Sequence, residues 1–121
     1  MDLVYRQNTT FEDRIKETQN VKSKYPNRIP VILESSDLKL KKNKFLIPSD
    51  LTVGGFLLHI RKYIPKNESQ GIFLFIGENS KVYGSGNLFS EIVKEFGVIG
   101  KDGFLKVLVR VESVFGLLFS N

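Results

Sequence analysis

The sequence predicts one α+β domain, in which helices pack against a single mixed β-sheet. Two observations lead to this prediction: the length of 121 residues suits one domain, and helix-type and strand-type apolar patterns follow each other along the chain. The apolar fraction is 41% and includes ten Phe, which is enough for a buried core. We therefore expect neither a disordered nor a fibrous chain.

The first element is a predicted helix over residues 10–24. Thr10 can accept hydrogen bonds from its free amides, and Phe11, Ile15 and Thr18 recur on one side between charged residues. Because this apolar stripe is narrow, we expect the helix to lie outside the core.

Two β-strands are predicted next, over residues 28–34 and 44–48. Pro30 has no amide hydrogen to donate, so it must lie at a sheet edge or at the start of its strand. The second strand is short and close in sequence, so it can pair with the first as a hairpin. We place it at the edge of the sheet.

A second helix is predicted from residue 53 to residue 64, where Pro65 ends it. Residues 49–52 offer several capping side chains. The apolar residues recur with helical spacing and form one face that should pack on the sheet: Val53, Phe56, Leu57, Ile60 and Ile64.

Two strands and a helix complete the domain. The apolar run 72–76 lies between two glycines, which predicts a central strand buried on both faces. Gly97 should end a helix over residues 87–96, whose core face would contain Leu88, Ile92, Val93 and Phe96. Residues 103–112 alternate as the last strand, with Phe104 on the face opposite to Leu105, Val107, Val109 and Val111.

The composition removes several classes of chemistry. The chain has no Cys and one His, so it cannot form a thiolate nucleophile, a disulfide or a Cys/His zinc cluster. Its net charge is +5, mostly from residues before Pro48, which could attract nucleic acid, anionic lipid or an acidic protein. No apolar run is long enough to span a membrane, and the first residues do not resemble a signal peptide. We therefore expect a soluble, intracellular protein.

The order of elements is that of the β-grasp fold, and three blocks of sequence are more specific. Residues 23–34 read SKYPNRIPVILE, residues 44–54 read KFLIPSDLTVG, and residues 112–116 read ESVFG. Together they closely resemble the autophagy ubiquitin-like modifiers, the GABARAP-like family. The resemblance spans nearly the whole chain.

The resemblance implies a ubiquitin-like β-grasp fold with a four-stranded mixed sheet and two additional N-terminal helices, near residues 3–8 and 11–23. The modifier domain would comprise residues 1–116. Within it, residues 1–24 would form the N-terminal helical extension and residues 28–112 the β-grasp core. Residues 117–121 would be a tail that proteolysis removes.

The resemblance also implies a function without catalysis or a cofactor. A processing cysteine protease would cut after Gly116, which follows Phe115. Activating and conjugating enzymes would then join Gly116 to phosphatidylethanolamine on autophagosomal membranes. Glycine has no Cβ, so it can pass through narrow enzyme tunnels. The protein would be a cytoplasmic monomer when unconjugated and would lie on autophagosomal membranes when lipidated.

A further implication is the docking of short linear motifs of cargo receptors and autophagy proteins, with an aromatic residue and an aliphatic residue three positions later. The matching aromatic pocket comprises Glu17, Val21, Pro30, Lys44, Leu46 and Phe104. The matching aliphatic pocket comprises Phe45, Ile47, Pro48, Leu51, His59 and Ile60. A basic flank comprises Arg28, Lys41 and Lys42. His59 and Tyr63 depart from the family pattern, which usually has an aliphatic residue and Arg there.

Three other hypotheses remain. A β-grasp adaptor could bind peptides without being conjugated, and it would keep its tail. A nucleic-acid binder would suit the isoelectric point of about 9.5, but basic residues interleaved with exposed stacking aromatics are not evident. We therefore expect no nucleic acid partner. An enzyme is the least favoured class, because the single His has no convincing nucleophile beside it.

Overall fold

The structure is a computed structural model that describes residues 8–36, 38–64 and 71–111. It also leaves the side chain of Phe96 undescribed. The predicted helix near residues 3–8, the conjugation site at Phe115 and Gly116, and the tail 117–121 lie outside the described residues.

The described residues form one sheet with helices on both of its faces. The elements are helix α1 (Phe11–Lys24), strands β1 (Arg28–Ser35) and β2 (Lys44–Pro48), helix α2 (Val53–Ile60) with a 3-10 turn (Arg61–Tyr63), strand β3 (Ile72–Ile76), helix α3 (Phe89–Phe96) and strand β4 (Leu105–Val111). The strand order is β2-β1-β4-β3. β1 pairs antiparallel with β2 and parallel with β4, and β3 pairs antiparallel with β4. The predicted mixed sheet and its hairpin are confirmed.

The core lies between the sheet and helices α2 and α3. Phe56 and Phe89 are fully buried and meet edge to face, with ring centroids 5.5 Å apart. Thr52 begins α2 by accepting a 3.0 Å hydrogen bond from the amide of Gly55. The core face of the sheet contains the alternating residues Ile29, Val31, Leu33, Leu105, Val107 and Val109.

The predicted central position of β3 is wrong, because β3 lies at an edge of the sheet. Its burial alternates: Ile72, Leu74 and Ile76 are buried, whereas Phe73 is 42% exposed. The strand buried on both faces is β1, which α1 covers. β3 lies two strands away from β1. A continuous apolar run therefore did not distinguish a central strand from an edge strand.

The predicted helix ends also need correction. α2 ends at Ile60, and the chain continues as a 3-10 turn that still brings the buried Ile64 onto the core. α3 begins at Phe89, two residues after its predicted start, because Leu88 is its N-cap, and the Leu88 amide donates to Glu91 Oε1 at 3.0 Å. Phe89, which the sequence pattern missed, takes the core position instead.

The sheet shows where the strands begin and end. It also shows whether Pro30 lies at a sheet edge or at the start of its strand. β1 continues one residue beyond its predicted end, to Ser35, and β4 begins at Leu105. Pro30 lies near the start of an interior strand, just before β1 meets β4 at the pair Val31 and Leu105. Its missing amide hydrogen is therefore tolerated away from the edge.

Helix α1 is held on the outer face by a small polar cluster. Thr18, its single buried residue, donates a 2.6 Å hydrogen bond from Oγ1 to the carbonyl of Asp102. Arg14 Nε donates to Asp102 Oδ2 at 2.8 Å. Phe104, which the sequence predicts on the face opposite to the core, is only 4% exposed. These contacts fix α1 beside the sheet and confirm that it lies outside the main core.

Candidate peptide-binding site

Strand β2 presents one side to its partner β1 and is otherwise the edge of the described sheet. Its side chains alternate, with Phe45 and Ile47 buried in the core and Lys44 and Pro48 exposed. Leu46 is half-buried and lies opposite Pro30 in the register. An edge strand of this kind can pair with an extended peptide through its backbone, while alternate side chains supply specificity. The predicted edge position of β2 is confirmed.

The first cavity has a volume of about 270 Å³ and lies where α1 meets the sheet. α1 contributes Glu17 and Val21, which are four residues apart and so share a helix face. Lys42 and Phe45 line this cavity. So do all six residues predicted for the aromatic pocket: Glu17, Val21, Pro30, Lys44, Leu46 and Phe104. The sequence therefore predicted which residues come together here. Their role in binding stays a prediction.

An ion pair crosses this cavity. Lys44 Nζ lies 2.6 Å from Glu17 Oε2, and both side chains are partly exposed. An exposed pair of this kind contributes about 0.2–1 kcal/mol, because water screens it and both long side chains lose freedom. It ties α1 to β2, and an acidic residue of a peptide would compete with Glu17 for Lys44.

The second cavity has a volume of about 560 Å³ and lies between β2 and α2. Five of the six residues predicted for the aliphatic pocket line it: Phe45, Ile47, Pro48, Leu51 and His59. Ile60 does not, because it is fully buried in the core on the same helix face as Val53 and Phe56. Gly55 and Leu58 line the cavity in its place. Leu58 is 73% exposed, and a helical projection that turns Ile60 inward could have identified it.

The three residues of the predicted basic flank differ in which cavity they line. Arg28 lines the second cavity, and Lys42 lines both cavities. Lys41 lines neither; its amide donates to the carbonyl of Tyr63 at 3.1 Å. Lys42 therefore has the position from which a cation can act on a ligand in either cavity.

His59 belongs to an aromatic cluster beside the second cavity. The Phe45 ring meets His59 and Tyr63 edge to face, with centroids 5.9 Å and 5.5 Å away. Lys42 Nζ lies 4.8 Å from the centroid of Phe45 and 5.3 Å from that of Tyr63, where the ring faces attract a cation. Burial lowers the pKa of His59 below 6.5, and the positive charges of Lys62 and Lys42 lower it further.

We expect the His59 ring to titrate below pH 6.5 in the folded protein. Its folded pKa is lower than its unfolded pKa, so its contribution to stability is complete above pH 6.5. That contribution is lost as the pH falls toward the folded pKa. An NMR titration is unambiguous, because His59 is the only histidine. Lys62→Gln should raise the midpoint, since it removes one repelling charge. A midpoint at or above 6.5 in the parent protein would contradict this assignment.

The described residues offer little else for chemistry. In that part of the chain, no group of three His, Asp or Glu side chains is placed to hold a metal ion. None of the helices described has the length and apolar character needed to cross a membrane. The two cavities along β2 are the candidate functional site because most of the residues predicted for the two pockets line them.

Comparison with known proteins identifies the family. A sequence profile described as "Autophagy protein Atg8 ubiquitin like" matches residues 13–116. The chain belongs to the Atg8 family. The "Autophagy-related protein 8" of Schizosaccharomyces pombe is 40% identical to this Atg8-family chain, with 95% of each chain covered. The "Autophagy-related protein 8e" of Arabidopsis thaliana is 35% identical, with 93% of each covered.

Solved Atg8 structures confirm the fold. The crystal structure of Trypanosoma brucei ATG8 superposes with a TM-score of 0.78 at 32% identity and covers 96% of this chain and 100% of that one. Plasmodium falciparum Atg8 in complex with a P. falciparum Atg3 peptide gives a TM-score of 0.74 at 31% identity, covering 90% of this chain and 96% of that one. The protein is thus an autophagy protein with the ubiquitin-like fold, as its sequence predicted.

Proposed function

We propose that this Atg8-family protein is a lipid-conjugated modifier and a peptide-docking adaptor in autophagosome formation. A cysteine protease removes residues 117–121, and activating and conjugating enzymes join Gly116 to phosphatidylethanolamine. The protein is a cytoplasmic monomer before conjugation and lies on the autophagosomal membrane afterwards. It performs no catalysis of its own and needs no cofactor.

One observation carries the docking part of this proposal: two cavities lie side by side along the edge strand β2. They share Lys42, Phe45 and Leu46, so their walls are continuous. A peptide added as a strand beside β2 would place its aromatic residue in the first cavity and its aliphatic residue in the second. The lysines at the rim would attract acidic residues next to these anchors.

The family supports the same reading. The P. falciparum relative, which has the same fold, has been solved with a peptide of Atg3. Gly116 is the last residue that the family profile matches, and the five residues after it lie beyond the match. The end of the family match favours conjugation through Gly116. The Atg3 peptide complex of the relative favours peptide recognition by the folded domain.

The alternative is a non-conjugated β-grasp adaptor. It would bind peptides in the same two cavities along β2, which together form a peptide groove, and it would keep residues 117–121. The intact mass of the protein from its native cell separates the two hypotheses. A mass that lacks the five residues and carries a phospholipid supports conjugation. A full-length, unmodified mass supports the alternative.

We expect Leu46→Ala to weaken binding of an acidic peptide with an aromatic-x-x-aliphatic core about tenfold. Leu46 lines both cavities, and losing part of this apolar wall costs about 1–2 kcal/mol at about 25 cal/mol per Å². Titration calorimetry measures the change, and circular dichroism verifies the fold. Val82→Ala is the matched control, because Val82 is exposed and lines neither cavity.

The control should bind like the parent protein. If a correctly folded Leu46→Ala variant also binds like the parent, peptides dock elsewhere and the assignment of the groove is wrong.

A further inference from the structure

The second cavity is about twice as large as the first, at about 560 Å³ against 270 Å³. In the proposed function the smaller cavity holds an aromatic side chain. Size therefore does not restrict the larger cavity to an aliphatic residue. Its exposed lip, Leu58, offers further apolar surface next to the opening.

The side chains that line the second cavity also favour an aromatic side chain of a bound peptide. His59 is exposed and lines the cavity, so its ring can contact a ligand there, whereas the neighbouring Phe45 ring is only 5% exposed. Aromatic rings gain energy beyond their buried area when they meet edge to face or offset-stacked. Burial and the charges of Lys62 and Lys42 lower the pKa of His59, which favours its neutral form, the form suited to contact with an apolar ring.

Cations at the rim complete the arrangement. Lys42 lies over the Phe45 ring and lines both cavities, and Arg28 lines the second one. A ligand ring bound in this cavity would lie near these cations, whose attraction to ring faces adds to binding. The same charges complement acidic residues between or beside the two anchors.

We propose, building on the docking function above, that the second cavity accepts an aromatic side chain through contact with the exposed ring of His59. The protein then docks acidic peptides in which two aromatic residues are three positions apart. His59 is a specificity-determining residue for this second anchor. A partner recognised in this way presents an extended aromatic-x-x-aromatic segment with acidic residues around it.

The test compares two synthetic peptides with the same acidic flanks and the same first Phe, one with Phe and one with Leu at the second anchor. We expect the parent protein to bind the Phe peptide about threefold to tenfold more tightly, from the aromatic contacts. His59→Leu removes the exposed aromatic ring from the wall and should remove or reverse this preference. Titration calorimetry at pH 7 gives the ratio of the two dissociation constants for each variant.

Val21→Ala is the matched control, because Val21 lines the first cavity and not the second. It should weaken both peptides by the same factor and leave their ratio unchanged. The inference is overturned if the parent prefers the Leu peptide, or if His59→Leu keeps the parent's ratio. If the parent binds neither peptide, the docking function itself fails, and with it the inference.

Discussion

Replacing Gly116 with Ala is expected to block both tail removal and conjugation to phosphatidylethanolamine. In the proposed function, the protease and the activating enzyme receive this residue through narrow tunnels, and the added Cβ would collide with the tunnel walls. A displacement of about 1 Å at a reacting carbonyl can slow a reaction about a hundredfold. We therefore expect the lipidation rate to fall at least about a hundredfold in a reconstituted reaction with the matching enzymes.

We expect the variant to keep its fold and to lose only the cleavage and conjugation steps. Circular dichroism and peptide binding of the variant should equal those of the parent. Ser120→Ala, within the predicted tail, should be cleaved and lipidated normally. Normal lipidation of Gly116→Ala would contradict the predicted requirement for glycine at this position.

Replacing Gly103 with Ala is expected to destabilise the protein and to loosen α1. Gly103 has φ +93°, a conformation that costs an L-residue about 1–2 kcal/mol. Its new Cβ would lie 2.7 Å from the Cβ of Thr18 and would collide with the hydroxyl as well. Thr18 is buried and hydrogen-bonded to Asp102, so relieving the overlap costs about 1–3 kcal/mol more.

The total loss in the free energy of unfolding is therefore about 2–5 kcal/mol, measurable by urea denaturation. Gly97→Ala is the matched control, because Gly97 also has a positive φ, +56°, but nothing lies within 4 Å of an added Cβ. It should lose only the backbone cost of about 1–2 kcal/mol. Equal losses for the two variants would contradict the steric role of Thr18.

Gly103→Ala should also weaken peptide binding, since α1 carries Glu17 and Val21 into the first cavity. Gly97→Ala should leave the affinity unchanged. This difference would show that the attachment of α1 through Thr18 and Asp102 shapes the groove.

Most elements of the fold could be predicted because their patterns are local. Strand β2 has its predicted bounds, Lys44–Pro48, and Thr10 caps α1 through a 3.0 Å hydrogen bond from the Asp13 amide. Gly97 ends α3 in the left-handed region that glycine adopts readily. The alternation of β4 placed Leu105, Val107 and Val109 in the core, where they are fully buried. Each of these features depends on neighbours in sequence.

The errors concern relations between distant segments. The apolar run of β3 fits a central strand as well as it fits an edge strand. Only the parallel pairing of β1 with β4 leaves β3 at the edge. Ile60 is apolar, as a pocket residue would be, but the rotation of α2 on the sheet turns it into the core. Leu88 and Phe89 are neighbouring apolar residues, and Leu88 forms a β-bridge with Thr52 while Phe89 begins the helix.

The sequence by itself determined the order of elements, the hairpin edge, the family resemblance and the six residues that line the first cavity. Local periodicity and long, specific sequence blocks carry that information. The tertiary structure alone decided the size of the second cavity, the placement of Leu58 and Lys42 on its rim, and the His59 cluster. These features form where α2, β2 and the 3-10 turn meet, and the angle between packed elements is not encoded in any one segment.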